Sequence, residues 1–134
     1  MTSPAGGAVP LDTDVIRMPV PLTIGYSVSA GMRIVFLSGL TAKDAESRTV
    51  GTGDAGAQAD HIFDAIEDTL RSAGGTLQDV IKLTVYLQSR DHAAAVGRVR
   101  ARRFSRPPAS TMVIAQLMSD DQLVEIEAVA ALPT

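Results

Sequence analysis

Two carboxylates stand in an unusual setting for chemistry. Residues 123–130 read Leu-Val-Glu-Ile-Glu-Ala-Val-Ala. A strand's two-residue period puts Val124, Ile126, Ala128 and Ala130 on one face and Leu123, Glu125, Glu127 and Val129 on the other. A carboxyl among apolar neighbours loses hydration, its pKa rises, and it can trade protons near neutrality. On that argument Glu125 is the candidate acid–base group. The competing reading is a structural glutamate held by backbone N–H groups or by Lys82, and spacing alone favours it. A small sheet ordinarily keeps one wet face, yet this one is only partly wet. Either a second copy of the chain covers it, or the strand is a solvated edge.

Other chemistries find less support. The chain has no cysteine, which removes disulfides, thiolate metal sites and thiol nucleophiles. His61 and His92 fall on different helices, with no carboxylate or histidine at metal spacing, so no metal is expected. No histidine is placed to activate a serine or threonine, which leaves a hydrolytic triad unsupported. Gly51-Thr52-Gly53 lacks both the preceding strand and the Lys-Ser/Thr end of a phosphate loop. Five arginines crowd residues 98–106, but without interleaved aromatics. Helical geometry turns Arg98 and Arg102 away from Arg100 and Arg103. The cluster therefore reads as a solvated, acid-balanced helix, and with a formal net charge of -3 nucleic acid is not an expected partner.

The elements that must position these residues follow from pattern. The 134 residues suit one domain: a flexible Pro- and Gly-rich arm over residues 1–12 and a single domain over 13–134. Neither a signal peptide nor a membrane span is expected, and the cytoplasm is the default compartment. A weak edge strand is predicted over 14–19. Residues 27–39 read as a hairpin turning at Ala30-Gly31, its second strand central in the sheet. Residues 41–53 form a loop. Ala59, Ile62, Phe63, Ile66, Leu70 and Ala73 make one stripe of a helix over 56–73, capped by Asp54 and ended by Gly74-Gly75. Strand 80–87 puts Ile81, Leu83, Val85 and Leu87 on one side and Lys82, Thr84 and Tyr86 on the other. A second helix over 91–104 carries Arg100 and Arg103 on the same stripe as Val96 and Val99, so these arginines must snorkel or meet something anionic. Residues 107–130 close as a hairpin whose first strand, 111–117, is buried on both faces. The order predicts an α+β fold, with two helices on one face of a mixed sheet.

Phe36-Leu37-Ser38-Gly39, Gln58, Ala73-Gly74, residues 80–87, Phe104, Pro108-Ala109 and residues 124–130 together resemble the Rid family of reactive-intermediate deaminases, also called the YjgF family. The resemblance implies a chorismate-mutase-like protomer and a homotrimer whose sheets form a central barrel. It also implies clefts between subunits where small imines or enamines are hydrolysed to ketones and ammonia without a cofactor. Glu125 is retained as the catalytic carboxyl, as is Ser38. Ser110, Thr111, Met112, Leu40, Gly39, Tyr86 and Tyr26 would line the cleft, Tyr26 as the nearest aromatic because Gly31 sits one residue out of the family spacing. Departures accompany these matches. Ser110 replaces the arginine that grips the substrate carboxylate, Met112 replaces a cysteine, Leu40 a glutamine and Gly97 an asparagine. The resulting expectation is a cofactor-independent hydrolase acting on an imine, enamine or related intermediate without an α-carboxylate, of the sort a specialised biosynthetic pathway generates. The rival is a non-catalytic trimer that binds a metabolite or partner protein, with a ribonuclease role more distant.

Overall fold

A carboxylate starts the longest helix and a glycine stops it. In the computed structural model, which describes residues 7–134, Asp54 accepts a hydrogen bond from Ala57 N at 3.0 Å, and α1 runs Ala55–Ser72. Gly74, at φ 85°, takes the left-handed conformation just past its end. Ala59, Ile62, Phe63, Ile66 and Leu70 are fully buried, packed with the sheet strands into one core. The remaining elements are β1 (Ala8–Leu11), β2 (Gly25–Val28), β3 (Arg33–Leu40), β4 (Val80–Leu87), α2 (Ala93–Arg103), β5 (Ala109–Ile114) and β6 (Val124–Leu132). Both helices cover one face of a four-stranded sheet of order β3-β6-β4-β5, and β1 and β2 form a separate pair.

The alternation of β6 resolves as expected. Val124, Ile126, Ala128 and Ala130 are buried beneath the helices, while Glu125, Glu127 and Val129 are half-buried on the opposite face. Several other expectations are corrected. Residues 14–19 form no strand, and Val15 there is 91% exposed; Pro19 and Pro21 remove donors that a ladder would need. The strand lies earlier, at β1, within the segment expected to be an arm. It pairs antiparallel with β2 from Ala8↔Val28 to Leu11↔Gly25 and is tied down by Ser29 Oγ, which donates to Gly7 O, and Arg106 Nη1, which donates to Ala8 O. Residues 1–6 of that arm lie outside the described residues.

The turn at Ala30-Gly31 exists, with Met32 N donating to Ser29 O, but β2 and β3 do not pair. β3 takes β6 instead, because the nine residues of β6 offer a longer ladder than the four of β2. β3 is therefore an edge of the four-stranded sheet and not a central strand. Nor do residues 107–130 close as a hairpin. The crossover through α2 returns β5 parallel to β4. Residues 115–123 then pass the end of β4, where Ala115 N donates to Leu87 O and Gln88 N to Leu123 O, so that β6 enters on the other side of β4. β5 is consequently an edge, and Val113 and Ile114 are 41% and 53% exposed instead of buried on both faces. A register shift between Val80 and Lys82 buries Val80 where the alternation predicted Ile81.

Two polar clamps hold the layers. The buried Gln58 side chain donates to Gly51 O and Asp121 O and accepts from Leu123 N, at 3.2, 2.9 and 2.9 Å. This fixes the loop before β6 against α1. Between the helices, Arg102 and Arg103 both engage Asp60, and Arg103 also reaches Asp64. Arg102 and Arg103 thus converge, contrary to the wheel, because the side chains bend back to the acids on α1. No helix among the described residues is long and apolar enough to cross a membrane.

Partial burial works against charge on Asp60, but the hydrogen bonds and positive charges of Arg102 and Arg103 outweigh it and hold the carboxyl below its ordinary value. A carboxyl so held contributes stability above its unfolded pKa, about 4, that is lost as pH falls through the folded value. Urea denaturation between about pH 6 and pH 2 should therefore show Asp60→Asn less stable than the parent near neutrality, with a shallower acid decline; parallel curves would remove this clamp from the acid response.

Candidate active site

The ladder between β3 and β6 slips opposite Glu127, two residues from Glu125 on the same strand face. Leu37 opposes Ala128 and Leu40 opposes Ile126, which leaves an extra residue at Ser38-Gly39, a bulge of the kind that bends an edge and re-aims side chains. Gly39 then lies directly against the Glu125 carboxylate: a Cβ there would collide with Oε2 and sit 3.1 Å from Cδ. Ser38 is exposed beside it and Leu40 is half-buried. Glycine at 39 is thus a requirement of close approach.

On the same open face, β6 and β4 bring further residues together. Tyr86 is the register partner of Glu125, and Thr84 that of Glu127. The Tyr86 hydroxyl donates to Glu127 Oε1 at 2.9 Å. That bond, then partial burial and the charges of Glu127 and Glu125, raise the phenol above its ordinary value. Lys82 Nζ donates to Thr111 Oγ1 at 2.7 Å. The structural reading of Glu125, a glutamate held by Lys82, loses that partner: Lys82 serves Thr111, and the tyrosine serves Glu127.

Ser110 and Met112 lie elsewhere. Their register partners are Leu83 and Val85, both fully buried on the helix side, so Ser110 and Met112 face α2 while Glu125 faces away. They line a pocket of about 390 Å³ with Met18, Val20, Leu22, Ala93, Ala94, Gly97 and Arg100. Arg100 Nη1 donates to Ser110 Oγ at 2.9 Å. Arg100 is only 6% exposed, its Nε is buried without an acceptor, and burial pushes the guanidinium below its usual pKa. The solvated-helix expectation therefore fails for Arg100. The pocket expected to lack a cation beside position 110 has one, supplied by the helix instead of the strand. Its signal was in the sequence, as an arginine on the stripe of Val96 and Val99. Tyr26 joins neither group: its hydroxyl donates to Pro107 O at 2.7 Å, and Arg106 stacks over its ring at 5.0 Å. Among the described residues no cluster of three or more His, Asp or Glu side chains is gathered for a metal.

A mixed sheet with two helices on one face, a carboxylate set into a bulged edge and a pocket at the other edge define an α+β protein of the chorismate-mutase-like, YjgF type. The family model described as endoribonuclease L-PSP matches residues 22–132, and the chain belongs to that family, the Rid or YjgF family. The 3-aminoacrylate deaminase RutC of Acinetobacter baylyi (strain ATCC 33305 / BD413 / ADP1) is 34% identical over 113 residues, covering 84% of this chain and 90% of that protein. Among solved structures, YyfB of the conserved Rid family from Yersinia pestis superposes with a TM-score of 0.82 at 26% identity, over 94% of this chain and 99% of that one. Rv2704 of Mycobacterium tuberculosis, a YjgF/YER057c/UK114 family member, does so with a TM-score of 0.64 at 29% identity, over 82% and 86%.

Gly39→Ala tests the bulge. The new methyl meets only the Glu125 side chain, from Oε2 back to Cγ, so the carboxylate should swing away while the melting temperature falls by no more than a few degrees, the effect of about 1 kcal/mol or less. A crystal structure of the variant with Glu125 unmoved would contradict the close-approach requirement.

Proposed function

We propose that the protein is a homotrimeric Rid-type deaminase that hydrolyses a small imine or enamine, with Glu125 as the acid–base group in clefts between subunits. The observation that carries this reading is the Glu125 carboxylate, pressed against Gly39 at a bulge on the sheet face that no helix covers. Ile34, Phe36 and Val113 are 42%, 77% and 41% exposed at the two edge strands, as an assembly with further copies would require. Glu125 and Ser110 lie on opposite faces of one sheet, so a single protomer cannot join them across one substrate; juxtaposed copies can. The RutC relative, whose name states deamination of 3-aminoacrylate, supports the reaction class.

In the proposed chemistry Glu125 takes a proton from water as the water oxygen bonds to the imine carbon, and passes that proton to the nitrogen. Glu125 then takes the hydroxyl proton of the tetrahedral adduct and delivers it to the amine as the C–N bond breaks, to yield ketone and ammonia; an enamine is first protonated at carbon. Ser38 and the Tyr86 edge would supply hydrogen bonds at the cleft wall, and Leu40 an apolar one.

Sedimentation should give a trimer, and a stable monomer at micromolar concentration would sink the cleft. With small imines lacking a carboxylate, generated in situ by an amine oxidase, Glu125→Gln should lower ammonia release by about 10² to 10⁴ fold, the usual worth of a positioned proton carrier, with trimer and melting temperature retained. Glu127→Gln is the control. Equal losses from both substitutions would mean that the face needs negative charge in general and would overturn the assignment of Glu125.

A further inference from the structure

Residues 18–22 join no ladder, because Pro19 and Pro21 lack the donors that one needs. The chain is fastened to the body just beyond them, where Thr23 donates to Pro107 O and Pro108 O. Met18, Val20 and Leu22 then form one wall of the cavity of about 390 Å³, with Met112 of β5 on another. Facing them, α2 offers only Ala93, Ala94 and Gly97, which are too short to fill the space, and a Cβ at Gly97 would meet nothing within 4 Å. Met18 and Val20 consequently stay 42% and 44% exposed. Apolar walls kept apart in this way forgo both burial and dispersion contacts, and an apolar body placed between them restores both.

The polar end of this cavity is a single hydroxyl. Arg100 Nη1 donates to Ser110 Oγ at 2.9 Å, which takes up one lone pair and leaves the hydroxyl proton without an acceptor among the described residues. The guanidinium itself offers an occupant little. Arg100 is 6% exposed and its Nε is sealed, so the paired N–H edge that grips a carboxylate is out of reach. The cation acts on the cavity through Ser110, by strengthening the pull of that hydroxyl on an acceptor. One neutral donor among apolar walls suits one acceptor atom, a ketone oxygen or an imine nitrogen, on an apolar body. A carboxylate entering there would lose its hydration and gain one hydrogen bond in return. The volume lies toward the small end for ligand pockets, which suits a branched chain or a single ring.

We propose that this cavity binds the apolar body of a neutral ketone or imine, held at its heteroatom by Ser110, and that Gly97 sets the size of the body admitted. For the reaction at Glu125 this names the substrate as an uncharged imine with a branched or aryl side chain. That last statement rests on the deaminase reading; the binding and the size limit at Gly97 do not.

Calorimetry on the assembled protein tests it with 2-butanone, 4-methyl-2-pentanone and 4-phenyl-2-butanone, and with 4-phenylbutanoate as a charged counterpart. Affinity should rise at least about fourfold from the first ketone to the second and again to the third, as more apolar area is buried. The phenyl ketone should bind at least about tenfold more tightly than the acid. Gly97→Leu, which favours the helix and leaves Ser110 and Arg100 in place, should weaken the phenyl ketone at least about tenfold and 2-butanone by less than about twofold. Ser110→Ala should weaken all three ketones by a common factor of about three to ten, as loss of one hydrogen bond does. The exposed Arg98→Gln should change nothing. Absence of binding by every ketone, equal or tighter binding of the acid, a flat affinity across the three ketones, or an unchanged phenyl-ketone affinity in folded Gly97→Leu would each overturn the proposal; the first three need no variant. Turnover separates the two readings. With the matching imines made in situ by an amine oxidase, the parent should favour the bulkier imines and Gly97→Leu should reverse the order of kcat/KM. Ketones bound in the expected size order with no imine hydrolysed would refute the deaminase reading and leave the cavity standing, whereas hydrolysis through Glu125 with no size order would overturn the substrate named here.

Discussion

The structure depends on one inequality, that helices cover only one face of its sheet. β6 runs down the middle of that sheet with Val124, Ile126, Ala128 and Ala130 sealed against α1, and burial of that apolar face is the main favourable contribution to the fold. Glu125, Glu127 and Val129 on the reverse face are then half-buried at best. A strand that places carboxylates among apolar neighbours on such a face neither hides them nor surrenders them to bulk water. The same inequality leaves Ile34, Phe36 and Val113 exposed on the edge strands.

Against that frame the bulge at Ser38-Gly39 is a local device with a large effect. A regular antiparallel edge would run past Glu125 without touching its carboxylate. One extra residue in β3, and the missing side chain at Gly39, let the backbone close on it. Tyr86 is engaged by Glu127 and Lys82 by Thr111, so the neighbours that would otherwise bind Glu125 are occupied. The Glu125 carboxylate is thus held against backbone with neither Tyr86 nor Lys82 as its partner.

The arginines of α2 show how a cluster of like charges is divided by its surroundings. Asp60 and Asp64 on α1 take Arg102 and Arg103 and turn them into a clamp between helices. Arg100, one turn from Arg103 along the helix, faces β5 and meets only Ser110. Its burial and its missing acceptor follow from where the helix sits on the sheet edge, not from its charge.

Local pattern alone determined much of this. The dry stripe of α1 with its Asp54 cap, the strand character of residues 80–87 and the two faces of residues 124–130 are all written in short-range spacing, because periodicity and capping are properties of neighbours along the chain; the Rid-type resemblance rests on separated motifs that agree in order along the sequence. The placing of Glu125 and Glu127 together on the half-buried face was legible for the same reason. Partner choice among strands was not. β3 leaving β2 for β6, β5 turning parallel beside β4, and β1 forming from residues read as an arm are long-range pairings that no local signal specifies. The meeting of Gly39 with Glu125 needed the bulged register, and the meeting of Arg100 with Ser110 needed the docking of a helix on a sheet edge. Arg100 was visible in the sequence as an arginine on an apolar stripe. Only the tertiary structure could show that its neighbour is a serine and not an acid, because that depends on packing between elements distant in space and not on the order of residues within them.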